Sequence, residues 1–107
     1  MILDPGRLRW RLSYETLVET PDGQGGFEAE WQHQFDVPAA IRPLSASAAE
    51  RAGTREAAVS HEITLRFRDG IAAGGRFTKA GRAFEIVAVR DPDETGRYLV
   101  CDCREPK

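Results

Sequence analysis

Cysteine, histidine and methionine are scarce in this 107-residue chain, which has two cysteines, two histidines and one methionine. Two cysteines are too few for the disulfide framework that stabilises many small secreted domains. A tetrahedral zinc site needs four ligands, but Cys101, Cys103, His33 and His61 do not have the spacing of a zinc finger or zinc ribbon. We therefore predict two reduced, partly buried thiols, no metal and a reducing compartment.

Long apolar runs and excess positive charge are also lacking. No run approaches the roughly 20 residues of a membrane-spanning helix, and the apolar start at Met1–Leu3 ends in Asp4. We expect no signal peptide and no membrane partner. The formal net charge is −2, whereas dedicated nucleic-acid-binding domains are usually strongly basic. The length of 107 residues, with 41% hydrophobic and 30% charged residues, is typical of one folded domain over 1–107.

The sequence pattern contains no recognisable catalytic constellation. Its acidic residues lie in predicted turns or on strand faces, and neither histidine stands in a catalytic context. Gly23–Gly26 is rich in glycine, but no strong helix follows it to bind a phosphate group. We predict that the chain is not an enzyme, with no catalytic residue and no cofactor.

Alternation of apolar and polar residues with a period of two predicts that most of the chain is β-strand. Between residues 7 and 14, Leu8, Trp10, Leu12 and Tyr14 share one face of a strand that continues to Val18. Further strands are predicted at 27–35, 37–44, 61–68, 76–79, 83–89 and 98–104. Six to seven short strands indicate a mainly β fold, either a small antiparallel β-barrel or a sandwich.

Three details of these strands can be compared with the structure. Pro38 and Pro43 indicate that 37–44 is a separate edge piece, or a strand that changes sheets. The alternation in 61–68 places Phe67 in the core. The dense run of β-forming residues at 83–89 predicts a central strand.

The segment 45–60 breaks the alternation and predicts one long loop. Ser47 and Glu50 have the spacing of a capping box, which favours a short helix, but Gly53 and the lack of large apolar side chains make that helix weak. A loop of this length in so small a domain usually has a function. We expect it to contact other subunits or rings, and a loop without function is the alternative. The candidate contact residues are Ser47, Glu50, Arg51, Arg55 and Glu56.

Two other surfaces are candidates for binding. Arg7, Arg9 and Arg11 form a basic stripe on the polar face of the first strand, which could meet phosphate or an acidic partner. The interpretation we favour is a solvated face that hinders edge pairing. Trp10, Tyr14 and Trp31 could serve as stacking platforms in a small-barrel module that binds single-stranded nucleic acid. Their alternation with polar residues places them in the core instead, so this function is the alternative.

The order and spacing of these segments resemble the head–tail adaptor, or head-closure (stopper), family of tailed phages and gene transfer agents. The resemblance extends from about Gly6 to Glu105. The segments that carry it are Gly6–Arg9, Asp22–Gly26 followed by Trp31, Val37–Ile41, His61–Arg68, Phe84–Val87 and Arg97–Cys101. It implies a small β-barrel or sandwich with a long loop that is a structural subunit of a connector ring. Val37-Pro38 stands where the family often has an aromatic residue.

The resemblance also implies partners and a location. The chain would form a homo-oligomeric ring, usually a dodecamer, with the portal or adaptor ring above it and tail terminator or tail proteins below. It would retain packaged double-stranded DNA, which passes through the ring without sequence-specific binding. The expected place is the neck of a virion or virus-like particle assembled in the host bacterial cytoplasm. The residues leave open whether the position is that of a stopper or an adaptor, and whether the loop gates the channel or contacts a neighbour.

Overall fold

The computed structural model describes residues 8–45 and 59–106, and these residues form β-strands and no helix. The strands are β1 (Trp10–Pro21), β2 (Phe27–Pro43), β3 (His61–Arg66), β4 (Arg76–Lys79), β5 (Arg82–Arg90) and β6 (Tyr98–Arg104). Every neighbouring pair is antiparallel, and the strands close in the order β1-β2-β3-β6-β5-β4. The predicted mainly β fold is confirmed, and the closed arrangement is the one adopted. Nothing in the described ranges forms a helix with the length and apolarity that a membrane crossing requires.

The alternating side chains of the six strands fill the interior. Leu12 and Tyr14 of β1 are at most 1% exposed, and Phe77 and Phe84 are fully buried. The Tyr14 ring centroid lies 5.1 Å from that of Phe35 and 5.7 Å from that of Phe77. Burying one such side chain stabilises the fold by about 1.5–3 kcal/mol. The other buried members of this core are Val37, Ala39, Ile63, Leu65, Ile86, Leu99, Cys101 and Cys103.

Two bulges interrupt the regular pairing. The register between β1 and β2 shifts between Tyr14 and Glu15, which leaves Gln34 as the extra residue of β2. A similar shift between β5 and β6 leaves Val87 as the extra residue of β5. Because a bulge bends a strand and increases its local twist, the first bulge redirects the β1–β2 hairpin where it leaves the barrel.

A short pairing between β1 and β4 closes the barrel. Ser13–Glu15 pair with Arg76–Thr78, and the Arg76 Nε donates a hydrogen bond of 2.6 Å to the Glu15 Oε1. Both side chains are mostly shielded from solvent, with 25% and 19% exposure. This ion pair therefore holds the seam more firmly than a fully exposed pair would.

The loop before β4 packs closely on the seam. The Tyr14 hydroxyl accepts a hydrogen bond of 3.2 Å from the Ala72 N–H. A Cβ added to Gly75 would lie 2.8 Å from both Cε1 and Oη of Tyr14, and 3.1 Å from the Glu15 carbonyl oxygen. Residue 75 must therefore be glycine for β4 to approach β1 as closely as it does.

Two sequence expectations are wrong in detail. Residues 37–44 are not a separate piece, since β2 runs unbroken from Phe27 to Pro43. Pairing with β3 begins at Ala39, so Pro38 lies where β2 is still an edge and proline is tolerated. Phe67 is 45% exposed because β3 ends one residue before it. The prediction that 83–89 is a central strand is confirmed, since β5 pairs with β4 on one side and with β6 on the other. The strand that is buried continuously is β6, over Leu99–Cys103.

Gly75→Ala is expected to lower the free energy of unfolding by roughly 1–3 kcal/mol, the usual cost of overpacking. The cause is that Tyr14 and the Glu15 backbone must move away from the new Cβ. Urea unfolding measures the change. Ala73→Gly, at an exposed position in the same loop, is the control and should cost at most about 1 kcal/mol. Equal losses in the two variants would contradict a tightly packed seam.

Candidate functional site

A different segment extends from each end of the closed sheet. At one end, Trp10 of β1 pairs with Ala39, and Pro43 at the end of β2 pairs with His61. We call this the loop end, because the segment 45–60 leaves the barrel here. At the opposite end, the outer halves of β1 and β2 continue as a hairpin over residues 16–32, which we call the arm. In the part of the chain that the structure describes, no other strand pairs with the strands of the arm.

One face of the arm is mostly apolar, with Glu19 as its one charged residue, and is largely exposed to solvent. Leu17 pairs with Trp31, and Pro21 pairs with Phe27. Leu17 is 45% exposed and Phe27 is 69% exposed. Trp31 is half-buried, and the guanidinium carbon of Arg76 lies 4.3 Å from its ring centroid. Since an isolated two-stranded hairpin is only marginally stable in water, this open apolar face is suited to contact with another protein surface.

The arm is also acidic and its tip is ordered. The Asp22 Oδ1 accepts hydrogen bonds from the backbone N–H groups of Gln24, at 2.7 Å, and Gly26, at 3.1 Å. This Asx-type turn presents the tip in one conformation. Residues 16–32 contain no lysine or arginine and have four carboxylates, those of Glu19, Asp22, Glu28 and Glu30.

A groove of about 500 Å³ opens at the loop end. Its lining includes the apolar residues Trp10, Ile41 and Pro43, and Trp10 is 43% exposed there. The Lys79 Nζ lies 3.6 Å from the Trp10 ring centroid, a cation–π contact. Arg82 donates hydrogen bonds of 2.8 and 3.0 Å to the two carboxylate oxygens of Glu105. The residues that line the groove are Trp10, Ile41, Pro43, His61, Lys79, Ala80 and Arg82.

His61 is held in the wall of this groove. Its Nδ1 lies 2.8 Å from the Ser60 Oγ, and its ring meets Phe84 edge-on, with 5.0 Å between the centroids. Burial is the main cause that lowers the pKa of His61. The negative charge of Glu105 raises this pKa, and the positive charge of Arg82 lowers it further. The imidazole is therefore a neutral part of the wall at neutral pH.

Hydrogen bonds tie the base of the 45–60 loop to the barrel. The Leu44 N–H donates to the Ser60 carbonyl oxygen, and the Ser60 N–H donates to that of Cys103, each at 2.9 Å. The Ser60 hydroxyl accepts a further hydrogen bond of 2.9 Å from the Glu105 N–H. The short helix predicted within the 45–60 loop and several candidate contact residues fall outside the described residues, so they stay predictions. These candidates are Ser47, Glu50, Arg51, Arg55, Glu56 and, in the basic stripe, Arg7.

Both described arginines of the basic stripe are exposed, and one of them is hydrogen-bonded to a neighbouring strand. Arg9 is exposed, and Arg11, with a side chain 80% exposed, donates a hydrogen bond of 3.3 Å to the Asp36 Oδ2. The same carboxylate accepts from the Ser13 hydroxyl at 2.9 Å and lies 2.9 Å from the His33 Nε2. Hydrogen bonds from His33, Ser13 and Arg11, in that order of importance, lower the pKa of Asp36 to about 2. Arg11 therefore links β1 to β2 across the sheet surface.

The three aromatic residues of the alternative function do not form one stacking surface. Tyr14 is 1% exposed and belongs to the core, as predicted. Trp10 lies at the open loop end and Trp31 on the outer face of the arm, so the prediction that they face the core is wrong. The alternation correctly placed Trp10 on the same face of β1 as the buried Leu12 and Tyr14. Trp10 is nevertheless exposed, because a residue at the end of a barrel strand is not covered by a complete layer of neighbouring side chains.

The two thiols lie inside the barrel. Cys101 and Cys103 are free and 0% exposed. Burial raises the pKa of Cys101 to about 12, and it raises that of Cys103 as well. Among the described residues, no group of three or more histidine, cysteine, aspartate or glutamate side chains is arranged to hold a metal ion.

Sequence reasoning missed Lys79 and Arg82 as parts of a surface. They flank the tight turn between β4 and β5, and basic residues beside a turn are ordinarily solvated. Their significance depends on β4 closing against β1, which brings Lys79 onto Trp10. A local pattern contains no signal for that contact.

Comparison with known proteins gives a family and a fold. The family model described as phage head completion protein matches residues 3–106. A protein of Shigella flexneri 2a, whose structure was determined in solution, is 30% identical with a TM-score of 0.77, and the match covers 96% of each chain. A chain in the virion of a native gene transfer agent particle has a similar fold, with 24% identity, a TM-score of 0.65 and coverage of 92% of this chain and 94% of that chain. No curated protein matches the chain.

Neither thiol is expected to react with a disulfide reagent in the folded protein, because both cysteines are 0% exposed and thiolate is the reactive form. Both should react once urea unfolds the chain. Titration of free thiols with and without urea measures this. Rapid labelling of a thiol in the folded protein would contradict the burial of these side chains.

Stability is expected to fall as the pH is lowered from about 7.5 to 5.5. The pKa of His61 is lower in the folded state than its usual 6.5. As the pH falls, the unfolded chain therefore binds a proton at a higher pH than the folded chain does, and this protonation favours unfolding. Urea midpoints across this range measure the effect. His61→Gln should flatten the dependence. An unchanged slope in His61→Gln would show that His61 is not the group responsible.

Proposed function

The chain belongs to the phage head completion protein family, and on that premise we propose that it is one subunit of a phage-like head–tail connector ring. The family consists of structural virion proteins. In the proposed arrangement, copies of the chain form a homo-oligomeric ring below the portal or an adaptor ring. The ring retains packaged DNA and offers a docking surface to the tail. The gene transfer agent virion that contains a chain of similar fold supports a place within a particle.

The arm is the observation that carries this proposal. It projects from a barrel whose other strands are paired on both sides, and it exposes Leu17 and Phe27 at 45% and 69%. Covering one such side chain with a neighbouring subunit contributes up to about 1.5–3 kcal/mol. The unpaired edges of β1 and β2 in the arm can also accept a strand from a neighbour. A ring of subunits supplies both kinds of contact.

The loop end provides the second contact of the proposed ring. Hydrogen bonds from Leu44 and Ser60 hold both ends of the 45–60 segment on the barrel. We assign this segment to contacts with a neighbouring subunit, an adjacent ring or the channel. The residues proposed for these contacts remain Ser47, Glu50, Arg51, Arg55 and Glu56.

The charge of the chain suits a channel through which DNA moves. The net charge is −2, and the arm has carboxylates without compensating cations, so neither attracts the phosphate backbone strongly. Double-stranded DNA would then pass without sequence-specific binding. Assembly of such a particle takes place in the host bacterial cytoplasm.

The double variant Leu17→Ser with Phe27→Ser tests the proposal in the parent particle. Both side chains lie outside the barrel, so the melting temperature should change little, whereas the yield of tailed, DNA-filled particles should fall on the order of tenfold or more. Electron microscopy counts tailed particles, and nuclease treatment measures retained DNA. The matched control is Thr20→Ala with Gln32→Ala on the opposite face of the arm.

A normal yield of tailed particles from the folded Leu17/Phe27 variant would overturn the assignment of the arm to assembly. A loss as large in the Thr20/Gln32 control would show that the apolar face is not the determinant.

A further inference from the structure

We infer that the arm of one copy docks in the loop-end groove of the next copy, so that subunits join head to tail. This inference rests on the proposed function and deepens it, because it names the partner of the arm as a second copy of this chain. Three properties of the two surfaces support it: their charges, their apolar side chains and their positions at opposite ends of the barrel.

The charges of the two surfaces are complementary. Residues 16–32 have four carboxylates and no lysine or arginine. The groove has Lys79 and Arg82 at its rim, and its lining contains no acidic residue. Arg82 is already paired with Glu105. Within the described ranges no carboxylate pairs with Lys79, whose ammonium group rests on the Trp10 ring. Lys79 is therefore available to a carboxylate of an incoming arm, and opposite potentials of this kind set the register of an interface.

The apolar parts of the two surfaces also correspond. Phe27 and Pro21 face each other across the tip of the arm, and Phe27 is 69% exposed. The groove has a volume of about 500 Å³, and Trp10, Ile41 and Pro43 are the large apolar residues of its lining. An aromatic side chain that fills an apolar pocket, surrounded by charged groups, is the usual arrangement of a strongly stabilising contact.

The positions of the surfaces determine the kind of assembly. Because the arm and the groove lie at opposite ends of one barrel, a contact between them uses two different patches and leaves one of each free. Such heterologous contacts propagate, and they form a ring when the rotation between subunits closes. Pairing of two arms would end at a dimer and would bring the four carboxylates of each copy together, which like-charge repulsion disfavours.

Cysteine cross-linking tests this contact. One variant carries Gln24→Cys at the tip of the arm, and the other carries Ala80→Cys in the groove. Both residues are exposed. The native Cys101 and Cys103 are 0% exposed and do not compete. The two proteins are mixed in equal amounts under mild oxidation, and dimers are separated on a non-reducing gel. The control replaces the groove variant with Ala73→Cys, an exposed position outside the groove.

The expected result is about tenfold more dimer from the arm and groove variants than from either variant alone or from the Ala73→Cys control, which corresponds to about 1.4 kcal/mol of contact free energy. Dimer formed chiefly by Gln24→Cys alone would overturn the inference in favour of arm–arm pairing. Equal yields with the groove variant and the control would overturn it altogether.

A charge reversal tests the electrostatic part separately. Lys79→Glu, added to the Ala80→Cys variant, should reduce the cross-linked dimer severalfold, and added salt should reduce it in the unmodified pair. Arg97→Glu makes the same change of charge at an exposed position outside the groove and should have no effect. Equal losses in the two variants would contradict a specific role for Lys79.

The same cysteine pair in the parent particle separates this inference from the proposed function. Failure of the pair to link in particles whose neck contains the protein would overturn the arm–groove contact and leave the connector assignment standing. Cross-linking of a protein that is missing from the neck would uphold the contact and overturn the assignment.

Discussion

The pairing of β1 with β4 is the contact on which the rest of the structure depends. It joins Ser13–Glu15 to Arg76–Thr78 and turns a six-stranded sheet into a closed barrel. Tyr14 packs beneath it, Gly75 leaves the space that the Tyr14 ring requires, and Glu15 pairs with Arg76 across it. If this seam opened, β1 and β4 would each present a free edge, the feature by which β proteins aggregate.

Closure also decides where the protein can make contacts. Once the strand edges of the barrel are paired, contacts with a neighbour can form at its two ends, where the arm extends from one end and the groove opens at the other. The ends differ in charge, since the arm is acidic while the groove has Lys79 and Arg82 at its rim. A small barrel with unlike ends is well suited to an assembly in which every copy has the same relation to the next.

Local pattern predicted most of the strands but not their closure. The bounds predicted for the strands at 76–79 and 98–104 agree with those of β4 and β6 in the structure. Each of these strands buries at least one of its faces in the core. The prolines led to the wrong prediction of a separate piece at 37–44. β2 continues through Pro38 because it is still an edge strand there, and an edge strand tolerates proline. The seam joins residues about sixty positions apart through three residue pairs, so no local pattern contains it, and the groove that depends on it was missed as well.

The resemblance of the segment order to phage head–tail connector proteins is confirmed at the level of the family. The order and spacing of turns and strands carried that resemblance, since each strand taken singly is a common pattern. The candidate contact residues Ser47, Glu50, Arg51, Arg55 and Glu56 remain predictions.

A cryo-electron microscopy reconstruction of the neck of the parent particle tests the connector assignment most directly. We expect a closed ring of copies of this six-stranded barrel below the portal or adaptor ring and above the tail. A neck whose density is fully explained by other proteins, with this barrel absent or located in the capsid shell or the tail tube, would contradict it.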